Sequence, residues 1–224
     1  MPQVNLDRHT VVRVALRLLD RVGLDGLTVR KLAYELGVQA PALYWHFKSK
    51  QELLDEMATT VFTDAIHKIG HPIEEASWSE WTVEFGKRLR RMLLHYRDGA
   101  RMFSGRYLTD SSFYERMEIA LRKLTDAGFS LREAAQGLKT VYCYAIGFTI
   151  EEQAVYPRPG KRLQRYELAE RARRVDSKRF PLAAAAGEPT FRDFETQFDR
   201  GLRLIIKGLS AGLRPSESIR ADRN

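Results

Sequence analysis

The chain has 224 residues, enough for one large domain or a small domain joined to a larger one, and enough for a sizeable apolar core. It carries 37 Lys and Arg against 29 Asp and Glu, and the net charge of +8 suits a polyanionic partner without proving one. A single cysteine, Cys143, excludes an internal disulfide framework and a multi-thiolate zinc site, while MPQVNLDRHT lacks the apolar stretch of a signal peptide and the longest apolar run, 141–150, is too short to span a bilayer. The expectation is a soluble, cytoplasmic protein with no membrane partner.

Helical periodicity runs through the whole chain, so the expected fold class is all-α. Val12, Ala15, Leu16, Leu19 and Val22 make the stripe of a first helix, punctuated by Gly23 and Gly26. A short helix over 28–36 follows, with Thr28 as N-cap and Gly37 past its last turn, and Pro41 opens a third. Three Ser-x-x-Glu patterns, at Ser49, Ser77 and Ser130, read as capping boxes that start long helices over 50–69, 78–95 and 130–155. Between the last two, a short piece near 98–104 and a helix over 110–126, stopped by Gly128, are expected. Residues 157–189 hold four prolines and an alanine run, and read as a mobile insertion with one helix near 161–175. A last helix over 190–212 carries Phe191, Phe194, Phe198, Leu202, Ile205 and Leu209, and the tail from 215 is expected to fray. The domain expectation is 1–50, 51–214 and a flexible 215–224.

Function is most legible in the first fifty residues. Two short helices joined by the turn Gly37-Val38-Gln39-Ala40 have helix-turn-helix spacing, with Leu32, Ala33, Leu36, Val38 and Leu43 as the inner face. In that arrangement the first helix braces on the backbone of double-stranded DNA and the second presents its N-terminal residues to the major groove. Arg30 and Lys31 stand where charge and free N–H groups can both meet phosphate, and Lys48 and Lys50 follow the second helix. Tyr44 and His46 can donate to phosphate, and Ala42 can touch a thymine methyl. Residues 1–50 hold eight basic and four acidic side chains, half of the net charge in under a quarter of the length. Trp45, taken alone, reads as a core anchor.

The stretch GLTVRKLAYELGVQAPALYWHFKSKQELLDEMA, 26–58, resembles the DNA-binding domain of the tetracycline-repressor family, most specifically over LYWHFKSKQELL. Tyr96-Arg97-Asp98-Gly99-Ala100, Gly128-Phe129-Ser130-Leu131, Glu151-Glu152-Gln153 and 201–208 are similar to that family's C-terminal domain. The resemblance implies an N-terminal three-helix head and a larger helical domain for ligand binding and dimerisation. It places Thr28, Arg30, Pro41, Tyr44, Trp45, His46 and Lys50 at or near DNA; Lys31, Ala40, Ala42 and Lys48 complete the candidate set. It further implies a homodimeric repressor on a palindromic operator, paired through the helices at 130–155 and 190–212. Gly137, Ala145, Gly147, Gly201, Gly208 and Gly212 would let those helices approach closely.

A repressor of this kind releases DNA when a small molecule enters the larger domain. Large side chains there, including Phe62, Met92, Phe113 and Phe148, read singly as ordinary core and collectively as a mostly apolar pocket. The candidate ligand set is Ile66, Phe85, Leu89, Phe103, Met117, Leu138 and Tyr142, with Arg106, Tyr107, Tyr144 and Glu151 as polar anchors. At positions where tetracycline repressors hold a magnesium chelate this chain carries Ile66, Phe85 and Phe103, and one residue is inserted between Gly105 and Tyr114. Glu151 alone matches the metal-side glutamate. Phenylalanine cannot ligate a hard cation, so tetracycline–magnesium is not the expected effector, and no cofactor or metal is expected.

Other chemistry is thin. His67 and His71 have a helical metal-ligand spacing, interrupted by Gly70 and Pro72. Cys143 reads as an inert core or bundle residue, and no nucleophile–base pair emerges, so an enzyme is not expected. Residues 158–179 hold nine basic side chains against three acidic ones. A second DNA contact is one reading of them; a loop over the pocket entrance, the family's variable loop, is the preferred one. The competing functions are a same-fold activator or co-ligand-dependent DNA binder, and a small-molecule-binding protein or enzyme without DNA function.

Overall fold

A computed structural model describes residues 6–69, 76–158 and 160–212. Among them the chain is twelve α-helices and one 3₁₀ turn, with a single isolated bridge between Arg158 and Lys161 and no strand. Helix α1 (Arg8–Gly26) starts on Asp7, whose carboxylate accepts from the Thr10 N–H at 2.7 Å. It buries Val11, Val12, Ala15, Leu16, Leu18 and Leu19, then kinks at Gly23, which sits at φ 75°. Helix α2 (Val29–Leu36) has the Thr28 cap, accepting from the Lys31 N–H at 3.2 Å, and ends on Gly37 in the left-handed region at φ 68°. Helix α3 (Ala40–Tyr44) takes Pro41 in its first turn, where no backbone donor is lost. Leu32, Ala33, Leu36 and Leu43 close the head core against α1, with Phe47, Leu53, Leu54 and Met57 from the following segment.

The body begins with α4 (Lys50–Ile69), which packs on α1 as well as on α5 (Trp78–Leu94) and α6 (Gly99–Phe103). Helices α7 (Ser112–Thr125), α8 (Leu131–Val155) and α12 (Phe194–Gly212) complete its main layers, α8 packing between α5, α7 and α12. Val141, Ala145, Phe198 and Leu202 belong to the same continuous core as the head residues. A smaller cluster of Trp81, Ala120, Leu124, Phe129 and Ala134 lies where α7 meets α8. Gly86 permits a close crossing of α5 and α12: a Cβ there would sit 2.8 Å from Leu202 of α12. At Gly201 a Cβ would run into the Tyr144 hydroxyl.

The capping boxes at Ser77 and Ser130 are complete on both sides. That at Ser49 is half-made. Its hydroxyl accepts from the Glu52 N–H at 3.1 Å, but the Glu52 carboxylate accepts from the Lys48 N–H at 2.7 Å and from Arg8 instead of closing on its own cap. The competing cation and the neighbouring donor win.

Residues 157–189 correct the sequence expectation. They are a folded excursion, with a 3₁₀ turn at Gln164–Tyr166, α9 (Leu168–Arg174), α10 (Pro181–Ala185) and α11 (Gly187–Phe191). Arg162 ties it down by donating to the Tyr156 hydroxyl at 2.9 Å and to the Phe191 carbonyl, while Arg171 donates to the Ala183 carbonyl at 2.8 Å. Such cation-to-carbonyl bonds leave no periodicity in a sequence. The last helix begins at Phe194 rather than 190, because Asp193 adopts φ 52° and separates it from α11. Cys143 is exposed, so it is no core residue of this chain. The His67–His71 pair and the tail from 215 lie outside the described residues and side chains.

Phe198 is fully buried, stacked on Tyr144 at 5.2 Å between ring centres and edge-on to Phe148 at 5.1 Å. Phe198→Ala is expected to cost about 3–5 kcal/mol in denaturant unfolding. A loss under about 1 kcal/mol would mean the three-helix crossing can collapse into the space.

Candidate nucleic-acid interface and sensor core

The head places its inner and outer residues by helix geometry alone. With Leu32, Ala33, Leu36 and Leu43 turned inward, α2 and α3 turn Thr28, Arg30, Lys31, Pro41, Tyr44 and Trp45 outward. Lys48 and Lys50 are exposed just beyond α3, while Ala40, Ala42 and His46 are half-buried at its edges. Trp45 is 89% exposed, which corrects its reading as a core anchor. A fully hydrated indole at the end of a five-residue helix contributes nothing to the core, whereas a flat apolar donor suits a partner surface. Arg8 sits 4.5 Å over the Phe47 ring and donates to the His46 carbonyl and to Glu52 at 3.0 Å, so the end of α3 is braced from α1 and α4. Tyr34, 85% exposed on α2 one turn after Arg30, escaped the sequence reading. The signal was available, since it falls opposite the buried face of Leu32, Ala33 and Leu36.

The candidate sensor residues do not all converge. Leu89 and Phe103 are buried in the main core, with Phe85, Tyr142 and Tyr144 packed against it. Phe85 also stacks on Trp81 at 5.8 Å and joins Leu138 at the smaller cluster. Burial pushes the Tyr142 and Tyr144 hydroxyls up from the ordinary phenol value. Tyr144 is already engaged, donating toward the Phe198 and Gln197 carbonyls at 3.2 and 3.4 Å. Arg106 donates to the Met102 carbonyl at 3.0 Å and lies 4.0 Å from Asp55. Ile66 is half-buried, whereas Tyr107, Met117 and Glu151 are exposed in the single chain.

The carboxylate that α8 buries is Glu152, next to the expected Glu151. Arg90 meets it through two bonds of 2.7 Å and also pairs with Glu195 of α12. Burial pulls the Arg90 guanidinium down, but its hydrogen bonds to Glu152 and Glu195 outweigh that and hold the group above its ordinary value. The phase of α8 carries the signal: Ala134, Gly137, Val141, Ala145, Thr149 and Glu152 recur at three- and four-residue steps on the buried face.

Head and body meet in a seam built around the kink of α1. The Asp98 carboxylate accepts from the Leu24 N–H at 2.8 Å, and Asp20 accepts from the Arg97 N–H at 2.9 Å. Arg97 donates to the Arg21 carbonyl and Arg158 to the Asp20 carbonyl, each at 2.9 Å. Arg101 grips Asp25 through bonds of 3.0 and 3.2 Å, a hydrogen bond and charge that hold the carboxyl below its ordinary value. Gly23 is required here, since a Cβ would lie 2.7 Å from Asp98. A second tie joins Arg13 of α1 to both oxygens of Asp64 on α4.

Among the described residues no cluster of His, Cys, Asp and Glu could hold a metal, and no helix is long and apolar enough to cross a membrane. Residues 11–57 match the family described as bacterial regulatory proteins, tetR family, and residues 71–213 the tetracyclin repressor-like C-terminal domain. The chain is 38% identical to the tetracycline repressor protein class A from transposon 1721 of Escherichia coli over 207 residues, 92% of this chain and 91% of that one. A possible TetR family transcriptional regulator from Streptomyces coelicolor A3(2) superposes with a TM-score of 0.79 at 37% identity, covering 92% of this chain and all of the other. The Streptomyces coelicolor TetR family protein ActR in complex with actinorhodin superposes with a TM-score of 0.77 at 29% identity, covering 95% and all of the respective chains.

Thr28 caps α2 and stands at the exposed edge of the head. Thr28→Ala is expected to destabilise the fold by about 1 kcal/mol, and Thr28→Ser to restore most of that, in thermal unfolding. Equal losses in both variants would show that the hydroxyl cap contributes little.

Proposed function

The chain belongs to the tetracycline-repressor family of bacterial transcriptional regulators, and on that footing we propose that it is a homodimeric repressor that holds a palindromic operator and leaves it when a small, largely apolar effector enters the body. The exposed residues of the head support the first part: Arg30, Lys31, Tyr44, Trp45, Lys48 and Lys50 are all turned to solvent on and beside α2 and α3. Cationic side chains there gain affinity by displacing counterions from phosphates, and residues at the start of α3 reach base edges. One chain supplies one such helix, so two chains read half-sites about 34–36 Å apart.

The dimer has support in the outer faces of α8 and α12. Cys143 and Gly147 are exposed on α8, and Leu204, Gly208 and Ala211 on α12, in stripes of small and apolar residues suited to close helix contact. Glu151 lies on the same side of α8 as Cys143 and Gly147, where a partner's body would meet it. Release follows if the effector favours a body arrangement whose seam sets the heads at a spacing the operator does not match; only differential affinity for two states can do this. The protein acts by binding, in the cytoplasm, and catalyses no reaction.

The effector region is the core around Phe85, Leu89, Phe103, Leu138 and Tyr142, with Ile66, Met117, Arg106, Tyr107, Tyr144 and Glu151 at its margins. Buried Phe103 and half-buried Phe85 bring no oxygen or imidazole where a magnesium chelate would need one, so the residues present do not fit a magnesium–tetracycline complex. An apolar or aromatic molecule fits them better.

Fluorescence anisotropy on DNA from the protein's own promoter region tests the reading. Affinity is expected to fall linearly with salt on logarithmic axes, and Arg30→Ala to weaken binding while lowering that slope by about one. Unchanged affinity and slope in a folded Arg30→Ala dimer would overturn the docking. Phe103→Ala is expected to change the effector response far more than it changes operator affinity; equal effects on both would remove the sensor role.

A further inference from the structure

A cavity lies apart from the candidate effector residues, at the seam. It is an open cleft of about 700 Å³, walled by the end of α1, the ends of α5 and α8, the turn at Arg158 and the start of α12. None of the candidate effector residues lines it. We propose that this cleft is a second small-molecule site that takes an amphipathic organic anion, a carboxylate on an aromatic body, and engages the arginines that join body to head in doing so.

The assignment follows from which polar groups are already spent. Arg90 and Glu152 at the inner wall satisfy each other, and Arg21 pairs with Glu35 at 2.5 Å. Gln153 is used up by the Ala100 N–H and the Leu93 and Tyr96 carbonyls. Arg97 and Arg158 remain. Each spends one terminal nitrogen on a carbonyl of α1, at Arg21 and Asp20, and a guanidinium has further N–H donors to offer. Two guanidiniums anchored on the same turn of α1 present a fork for a carboxylate. The same cleft supplies the complement to an aromatic body: Leu94, Pro157, and the Tyr156 and Phe194 rings, which lie edge to face at 5.8 Å. The cleft therefore has a cationic side, made by two body arginines that reach onto α1, and an apolar side beside it. Four carboxylates also line the cleft: Glu152 is spent on Arg90, Asp20 accepts from the Arg97 N–H and Asp193 from the Thr196 N–H, while Glu195, mostly exposed at the rim, would repel the guest and compete for Arg90.

A bound anion would touch the arginines that hold the kinked end of α1 and, at the same time, the first turn of α12. It would thus load the two arginines whose bonds hold α1 to the body, without contact to the candidate effector residues. That separates this site from the effector site above, and the proposal does not rest on the DNA-binding reading.

Calorimetric titration of the full-length protein with 4-phenylbutyrate and with 4-phenylbutyramide tests it. The carboxylate is expected to bind saturably at one site per chain and the neutral amide at least about tenfold more weakly, the loss of a charge-assisted pair. Arg158→Gln, at an exposed position, and Arg97→Gln are each expected to weaken the carboxylate about tenfold, and Glu195→Gln to tighten it. The Glu195 variant guards against mere damage, which would not raise affinity. No saturable binding below about 10 mM, equal binding of acid and amide, or affinities unmoved by Arg158→Gln and Glu195→Gln would each overturn the site.

Discussion

The end of α1 is held by side chains that belong to the body, and the rest of the molecule's behaviour depends on that grip. Asp98 accepts from the Leu24 N–H, Arg97 and Arg158 occupy the carbonyls of Arg21 and Asp20, and Gly23 supplies the left-handed kink that lets them approach. A helix C-terminus leaves carbonyls without partners, and here two arginines satisfy them from outside the head. Individually these bonds near the surface are modest. Together they fix the angle of the head relative to α5, α6 and α8, so a shift in the body has a mechanical route to α2 and α3.

The body, for its part, is stiffened by a charged group where apolar packing would be expected. Arg90 lies buried beneath Phe198, 5.2 Å from its ring, and joins α5 to Glu152 of α8 and Glu195 of α12. Removing one partner of such a pair leaves a desolvated charge, so its geometry is stringent even where its net contribution is small. The pair lines the seam cleft, with Arg90 also against the Phe148 and Phe198 rings of the core. Three helices, α5, α8 and α12, are tied at this one buried cation.

Much of this was readable beforehand because it rests on local rules. Thr28, Gly37 and Pro41 marked α2 and α3 through capping and turn chemistry, and the Ser77 and Ser130 boxes fixed two long helices. Resemblance to the tetracycline-repressor family supplied the head's partner, which spacing alone left open. What escaped depended on tertiary contacts. The fold of 157–189 hangs on Arg162 and Arg171 reaching distant carbonyls, and the seam joins residues more than seventy positions apart. Trp45 shows the limit of reasoning from residue type, since tryptophan is usually well buried and this one stands in water. Glu152 shows the reverse: helix phase alone would have preferred it to Glu151 as the buried carboxylate.

Hydrogen–deuterium exchange of the full-length protein, free and saturated with its operator, tests the coupling most directly. Binding is expected to slow exchange in α2 and α3 and also across 20–26 and 97–101, which lie outside the candidate DNA-binding set but carry the seam. Protection confined to α2 and α3, with the seam unmoved, would contradict a head whose angle is read by the body.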